Sequence, residues 1–232
     1  MLDVTTNSDR ATERFTLIYT QLRDRICTNR YPPGTVLSES ELASEFGVSR
    51  TPVRRVLQKL SYDGLVEIRN GVGNFVTDVD TRTIADLYRL RMRMAELIGE
   101  FTSESEGAAH IPEFEKLLEQ ARKLEAKKDY DSLAQLNLDV VGALQNLITS
   151  EPLRDLTMTL YCRTARVWHQ TLPQMDWTEE VQLVTDEIRE ILRSLRLGDV
   201  QGAGFVRRNF ISMAFRRLAR KTGICITKKS PS

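Results

Sequence analysis

Histidine is nearly absent from this 232-residue sequence; only His110 and His169 occur, which excludes a mechanism built on a histidine cluster. Cysteine is scarce as well. Cys27, Cys162 and Cys225 are odd in number, far apart and without a C-x-x-C partner. That arrangement argues against a disulfide scaffold or a zinc knuckle and suits the cytoplasm. No apolar run approaches the roughly 18–20 residues that a transmembrane helix needs. The polar start MLDVTTNSDR lacks the basic and apolar segments of a secretory signal. No Gly-rich phosphate loop, nucleophile–base pair or metal-ligand spacing is present, so enzymatic activity is not expected. Neither charge sign dominates: 33 Lys+Arg face 32 Asp+Glu. What the sequence does hold is core material. With 41% hydrophobic and 28% charged residues, it suits one or two folded domains and is not disordered throughout.

The first eighty residues read as a helix, two short helices and a hairpin. Over residues 12–28, Phe15, Ile18, Tyr19, Leu22 and Ile26 recur at the spacing of an amphipathic helix. Tyr31-Pro32-Pro33-Gly34 stops it, because proline lacks an amide donor. Ser38-Glu39-Ser40-Glu41 has the form of a capping box opening a short helix, with Gly47 as its stop. Ser49 caps the next helix; Pro52 lies in its first turn and Val53, Val56, Leu57 and Leu60 form its buried stripe. β-prone residues on both sides of Asn70-Gly71 predict a hairpin. This order predicts a winged helix-turn-helix over residues 1–79. From Thr81 onward six helical stripes recur, beginning at Ile84, Phe114, Leu133, Leu153, Val181 and Ala203. Residues 80–232 are therefore expected to form an all-α antiparallel bundle, making the chain mostly α. Asp80 or Thr81 is the expected cap of its first helix, and residues 228–232 the expected frayed tail.

Charge is uneven locally. Between residues 48 and 75, Arg50, Arg54, Arg55, Lys59 and Arg69 face only Asp63 and Glu67. A solvated helix face would give the same excess. A recognition helix gives it a use: Arg50 and Arg54 are four apart and project together near the helix start, where amides suit phosphate and arginine suits guanine.

From Tyr31-Pro32-Pro33-Gly34 through Ser49-Arg50-Thr51-Pro52-Val53-Arg54 to Gly71-Val72-Gly73-Asn74-Phe75-Val76, the sequence resembles the DNA-binding domain of the GntR family of bacterial transcription regulators. The helical remainder is similar to the FCD effector domain of the FadR branch. The resemblance implies that Ser49, Arg50, Thr51 and Arg54 contact double-stranded DNA, and that the wing tip, Gly71 to Gly73, reaches the minor groove. Where the family often carries arginine this chain has Ser40, and where it often carries a basic wing residue this chain has Val72. Arg55 and Arg69 are the substitutes for that charge. The family's effector domain often binds a divalent metal through an Asp and three His. Asp139 matches the Asp, but Ala143, Ile188 and Asn209 or Phe210 stand where the His would be. One carboxylate cannot hold zinc tightly, so neither metal nor other cofactor is expected.

Arg91 and Arg163 fall on apolar seams, between Leu87 and Met94 and between Leu160 and Val167, where a lone guanidinium is costly. Two readings stay open. In one, Glu96, Asp139, Glu187 or Asn209 complete an internal network. In the other, both arginines clamp a small anionic effector, with Asn146 adding a neutral contact, Asp139 orienting an arginine and Asn209 in the same set. The favoured function is a ligand-responsive regulator that binds a short palindrome as a homodimer, with no membrane partner. A constitutive DNA-binding protein whose bundle only dimerises is the alternative; an enzyme with an appended DNA-binding domain is a third reading.

Overall fold

The structure, a computed structural model, describes residues 4–80 and 82–225. Thr81 and the expected tail at 228–232 lie outside the described residues. The chain divides into two compact units, Met1–Val79 and Asp80–Ser232.

In the first unit, α1 (Val4–Cys27) buries Ile18, Leu22 and Ile26 against α3 (Arg50–Tyr62), which contributes Val53, Val56, Leu57 and Leu60. Each such side chain contributes about 1.5–3 kcal/mol when fully buried, so this seam fixes the unit. A polar tie closes it at one end: buried Asp63 accepts from Tyr19 Oη at 2.8 Å and from Lys59 Nζ at 2.7 Å. Between them lies α2 (Glu39–Glu45), whose Ser38 cap accepts from the Glu41 amide at 3.3 Å. Gly47 turns the chain at φ 61°, a left-handed conformation that favours glycine. Strands β1 (Val66–Arg69) and β2 (Gly73–Val76) pair antiparallel with Val66 opposite Val76 and Arg69 opposite Gly73. Residues 34–37 pair with the other edge of β2, through Val76 N–H to Thr35 O at 2.9 Å and Leu37 N–H to Asn74 O at 2.8 Å. The wing is thus held on both sides, and α3 leaves its polar face uncovered within this unit.

Seven α-helices form the second unit among the described residues: α4 (Ile84–Glu96), α5 (Glu104–Ala109), α6 (Ile111–Ala126), α7 (Tyr130–Leu147), α8 (Glu151–Thr171), α9 (Trp177–Arg196) and α10 (Val200–Thr222). Two departures from the six-helix expectation have local causes. The stripe beginning at Ile84 breaks after Glu96 into a 3-10 turn, Ile98–Phe101, where α10 crosses. A Cβ on Gly99 would lie 2.4 Å from Gln201 Cα, so only glycine permits that approach. The extra helix, α5, is short and held by a Ser103–Glu106 capping box rather than by an apolar stripe. Helix α10 packs on α4 and α9, α8 on α4, and α6 on α7 and α9. No described helix is long and apolar enough to cross a membrane.

His169 on α8 is buried, and neither ring nitrogen has a hydrogen-bond partner among the described residues. Burial alone lowers its pKa from 6.5 to about 3. The folded protein therefore keeps the ring neutral at pH values where the unfolded chain protonates it. Stability is full above the unfolded value of 6.5 and falls as the pH drops from there toward 3. Denaturant melts of wild type and His169→Gln should diverge by about 2 kcal/mol between pH 6.5 and 5, wild type losing more. Parallel pH dependence in the two proteins would contradict this account of the ring.

Candidate nucleic-acid interface and ligand cavity

Ser49 caps α3 in extended backbone but makes no side-chain cap bond, so its hydroxyl is uncommitted to the helix. Arg50, Thr51 and Arg54 follow, all exposed. Burial of Val53, Val56 and Leu57 on the opposite face forces these three outward together. Arg54 is held by Glu39 of α2, through Nε to Oε1 at 3.1 Å and Nη2 to Oε2 at 2.9 Å. That partner was not foreseen; the signal was a carboxylate at the first position of the preceding helix. Arg55 is exposed but points back over the Phe15 ring of α1, 5.8 Å from its centre. Arg14 and Arg55 line a groove with Ser49 and Thr51. On the wing, Arg69 pairs with Glu67 at 2.8 Å and stacks over Phe75 at 4.7 Å. Gly71 adopts φ 73° in the turn that Val72 N–H closes on Arg69 O, while the Val72 side chain is exposed. Gly73 adopts φ 146° as it opens β2.

The second unit contains two adjoining spaces that share Arg91, Tyr161, Arg207 and Ile211. One is walled largely by apolar side chains, among them Ile98, Val141, Leu144 and Ile148. The other is more polar and includes Asn137, Glu180 and Glu187. Arg91 is buried between the Tyr88 and Tyr161 rings, 5.1 and 5.4 Å from their centres. Its Nη1 donates to Thr164 Oγ1 at 2.8 Å, and that hydroxyl donates on to the α8 backbone. Burial pulls the Arg91 guanidinium down to about 10, which leaves it charged at neutral pH. Arg207 is neutralised by buried Glu187 at 2.6 Å. Buried Glu180 accepts from Trp168 Nε1 at 2.8 Å and pairs with Arg217 at 2.7 Å. Among the described residues no carboxylate lies within ion-pair distance of Arg91, whose charge is offset only in part by the Tyr88 and Tyr161 rings and, from farther away, by Glu187.

The structure does not bring the other expected effector residues to Arg91. Arg163 is half-buried and lines neither space. Asp139 accepts from Gln135 on its own helix at 2.9 Å. Asn146 is exposed and donates to Glu113, and Asn209 is exposed and accepts from Arg208. Arg207 of α10, not Arg163 of α8, lines both spaces with Arg91, because α10 turns Arg207 inward. That helix buries Ala203, Arg207, Ile211 and Phe215, and leaves Met213 outside.

The divalent metal common in the resembled effector domain does not fit these residues. Ala143 and Ile188 are buried and apolar, Asn209 is on the surface, and no group of three His, Cys, Asp or Glu suited to a metal occurs among the described residues. Chelator should leave the thermal midpoint unchanged, and elemental analysis should find no stoichiometric zinc, nickel or manganese. A tightly held metal in each chain would contradict this assignment.

Fold and surface together define a winged helix-turn-helix protein with an appended all-helical domain. Residues 16–76 match the bacterial regulatory proteins of the gntR family, and residues 86–211 match the FCD domain. The chain belongs to the GntR family and carries the FCD domain; neither matched family describes an enzyme. An HTH-type transcriptional regulator of Bacillus subtilis is 29% identical over 115 residues, 50% of this chain and 51% of its own. One from Mycobacterium tuberculosis is 38% identical over 130 residues, 55% of this chain and 52% of its own. The chain therefore spans about half the length of these curated relatives. Among solved structures, Escherichia coli McbR/YncC superposes with TM-score 0.71 at 18% identity, covering 89% of this chain and 97% of that one. A GntR regulator from Rhodococcus gives 0.67 at 23% identity, covering 90% and 98%. At these identities the likeness is one of fold.

Proposed function

We propose that the protein is a cytoplasmic, ligand-responsive transcription regulator that binds a short palindromic operator as a homodimer. The observation that carries this reading is the face of α3: Ser49, Arg50, Thr51 and Arg54 are exposed together while the opposite face is buried. Such a face matches what the major groove offers, phosphates at its edge and guanine O6 and N7 on its floor. Arg55 and Arg69 add charge beside it, and Gly71 and Gly73 let the wing tip approach the minor groove closely.

The effector we propose is a small anion held at Arg91. Among the described residues Arg91 has no carboxylate within ion-pair distance, whereas Arg207 on the same wall is paired to Glu187, and one of the two spaces beside Arg91 is mostly apolar. A singly charged head with an apolar body fits both features. Its binding changes operator affinity only by differing between two placements of the DNA-binding units.

The test is selection of duplexes from a random-sequence pool by the full-length protein. The reading predicts recovered sequences with two inverted half-sites, as a dimer's symmetry requires. Recovery of no preferred sequence would refute it.

A further inference from the structure

We propose that Glu39 is a positioning residue for DNA reading: it holds the Arg54 guanidinium so that one preset edge faces the base, and thereby sets base preference at that contact. The proposal rests on reading α3 as the helix that faces DNA.

Glu39 opens α2 and Arg54 lies in the second turn of α3, so their bond spans the helix-turn-helix. A guanidinium has five N–H donors in one plane. Glu39 takes two of them, on Nε and Nη2. Both hydrogens of Nη1 and the second of Nη2 remain, and Nη1 and Nη2 form the parallel pair that matches guanine O6 and N7. The carboxylate occupies one edge and leaves the base-reading edge open.

Energetics favour this role over a structural one. The Arg54 side chain is 64% exposed, and an ion pair so placed adds little to stability. Without a partner, an arginine this exposed samples many rotamers and loses that freedom on meeting DNA. Glu39 restricts it beforehand, which is preorganisation of the reader. The same carboxylate repels phosphate and so weakens attraction to DNA of any sequence. A group that lowers general attraction while fixing one base contact raises preference rather than tightness. Hydrogen bonding to Arg54 holds the Glu39 carboxyl below its usual range, with the charge of Arg50 helping, so the brace is ionised at neutral pH.

The experiment compares full-length wild type, Glu39→Gln, Glu39→Ala, Arg54→Ala and the Glu39→Ala/Arg54→Ala double variant. Each is titrated against the duplex that wild type selects from a random pool, its single-base variants and a scrambled duplex. Glu39→Gln keeps the side chain's size, and its melting curve should overlay wild type. Both Glu39 variants should bind the scrambled duplex more tightly than wild type. They should lose preference about tenfold at one base pair per half-site, the loss of about one forked base contact. That base pair should be the one at which Arg54→Ala loses preference, and the double variant should match Arg54→Ala there. If Arg54→Ala flattens preference at a base pair that both Glu39 variants still read normally, the positioning role is overturned and the DNA-reading helix stands. A uniform loss across all base pairs in the Glu39 variants overturns it also, by showing a structural role. If Arg54→Ala changes no base pair, the assignment of Arg54 as a reader falls, and the proposal falls with it.

Discussion

Replacing Arg54 with alanine should weaken binding to the selected duplex by about 1–3 kcal/mol, five-fold to more than a hundred-fold, while affinity for a scrambled duplex changes far less. Arg50→Ala should cost about as much, since a lost base contact of the same kind is worth about 1–3 kcal/mol. The physical reason is placement. Both guanidiniums project from the start of α3, and the buried stripe of that helix leaves them no other direction. Arg69→Ala should matter less, because this wing residue is proposed to add charge near phosphate and not to make a forked base contact. Val72→Ala should matter least, since an apolar wing residue brings no charge to phosphate. Equal operator affinity in wild type and Arg54→Ala would remove the recognition-helix assignment.

Arg91→Met should abolish or strongly weaken effector binding. Methionine keeps part of the stem's packing between Tyr88 and Tyr161 and removes the charge, which separates lost packing from lost attraction. The probes are singly charged carboxylates with apolar bodies of graded length, added during thermal melts. A ligand that binds the folded state raises the midpoint. Calorimetry on the anion giving the largest rise should then show at least a tenfold loss of affinity in Arg91→Met, about 1.4 kcal/mol. Arg163→Met should leave affinity unchanged, because Arg163 lines neither space. Unchanged affinity in Arg91→Met would return Arg91 to a packing role.

What the sequence revealed follows from how local each signal is. The winged unit was legible almost residue by residue, because Pro32-Pro33-Gly34, Ser38, Gly47 and Asn70-Gly71 each act on their immediate neighbours, although Ser49 opens α3 without a side-chain cap bond. The Glu39–Arg54 pair was not legible, since it joins two helices and neither residue is unusual on its own helix. In the helical unit the existence of the helices was legible and their rotation was less so. Helix α10 shows why: its apolar Val206, Phe210 and Met213 recur at helical spacing, whereas the buried face includes Arg207 paired to Glu187. A paired charge in a core breaks the apolar pattern at the very positions that line the cavity. Helix α8 has the opposite difficulty. Its second half is buried nearly all round, so periodicity could not tell which of Arg163 and Arg166 faces inward; Arg166 is the buried one.

What separates α3 from a merely basic surface helix is the reading of DNA sequence. Its most direct test is competition between the selected duplex and a scrambled duplex of the same composition for full-length protein at physiological salt. Sequence reading predicts that the selected duplex wins by about a thousandfold or more. Equal competition by the two duplexes would show binding to the DNA backbone alone and contradict the account.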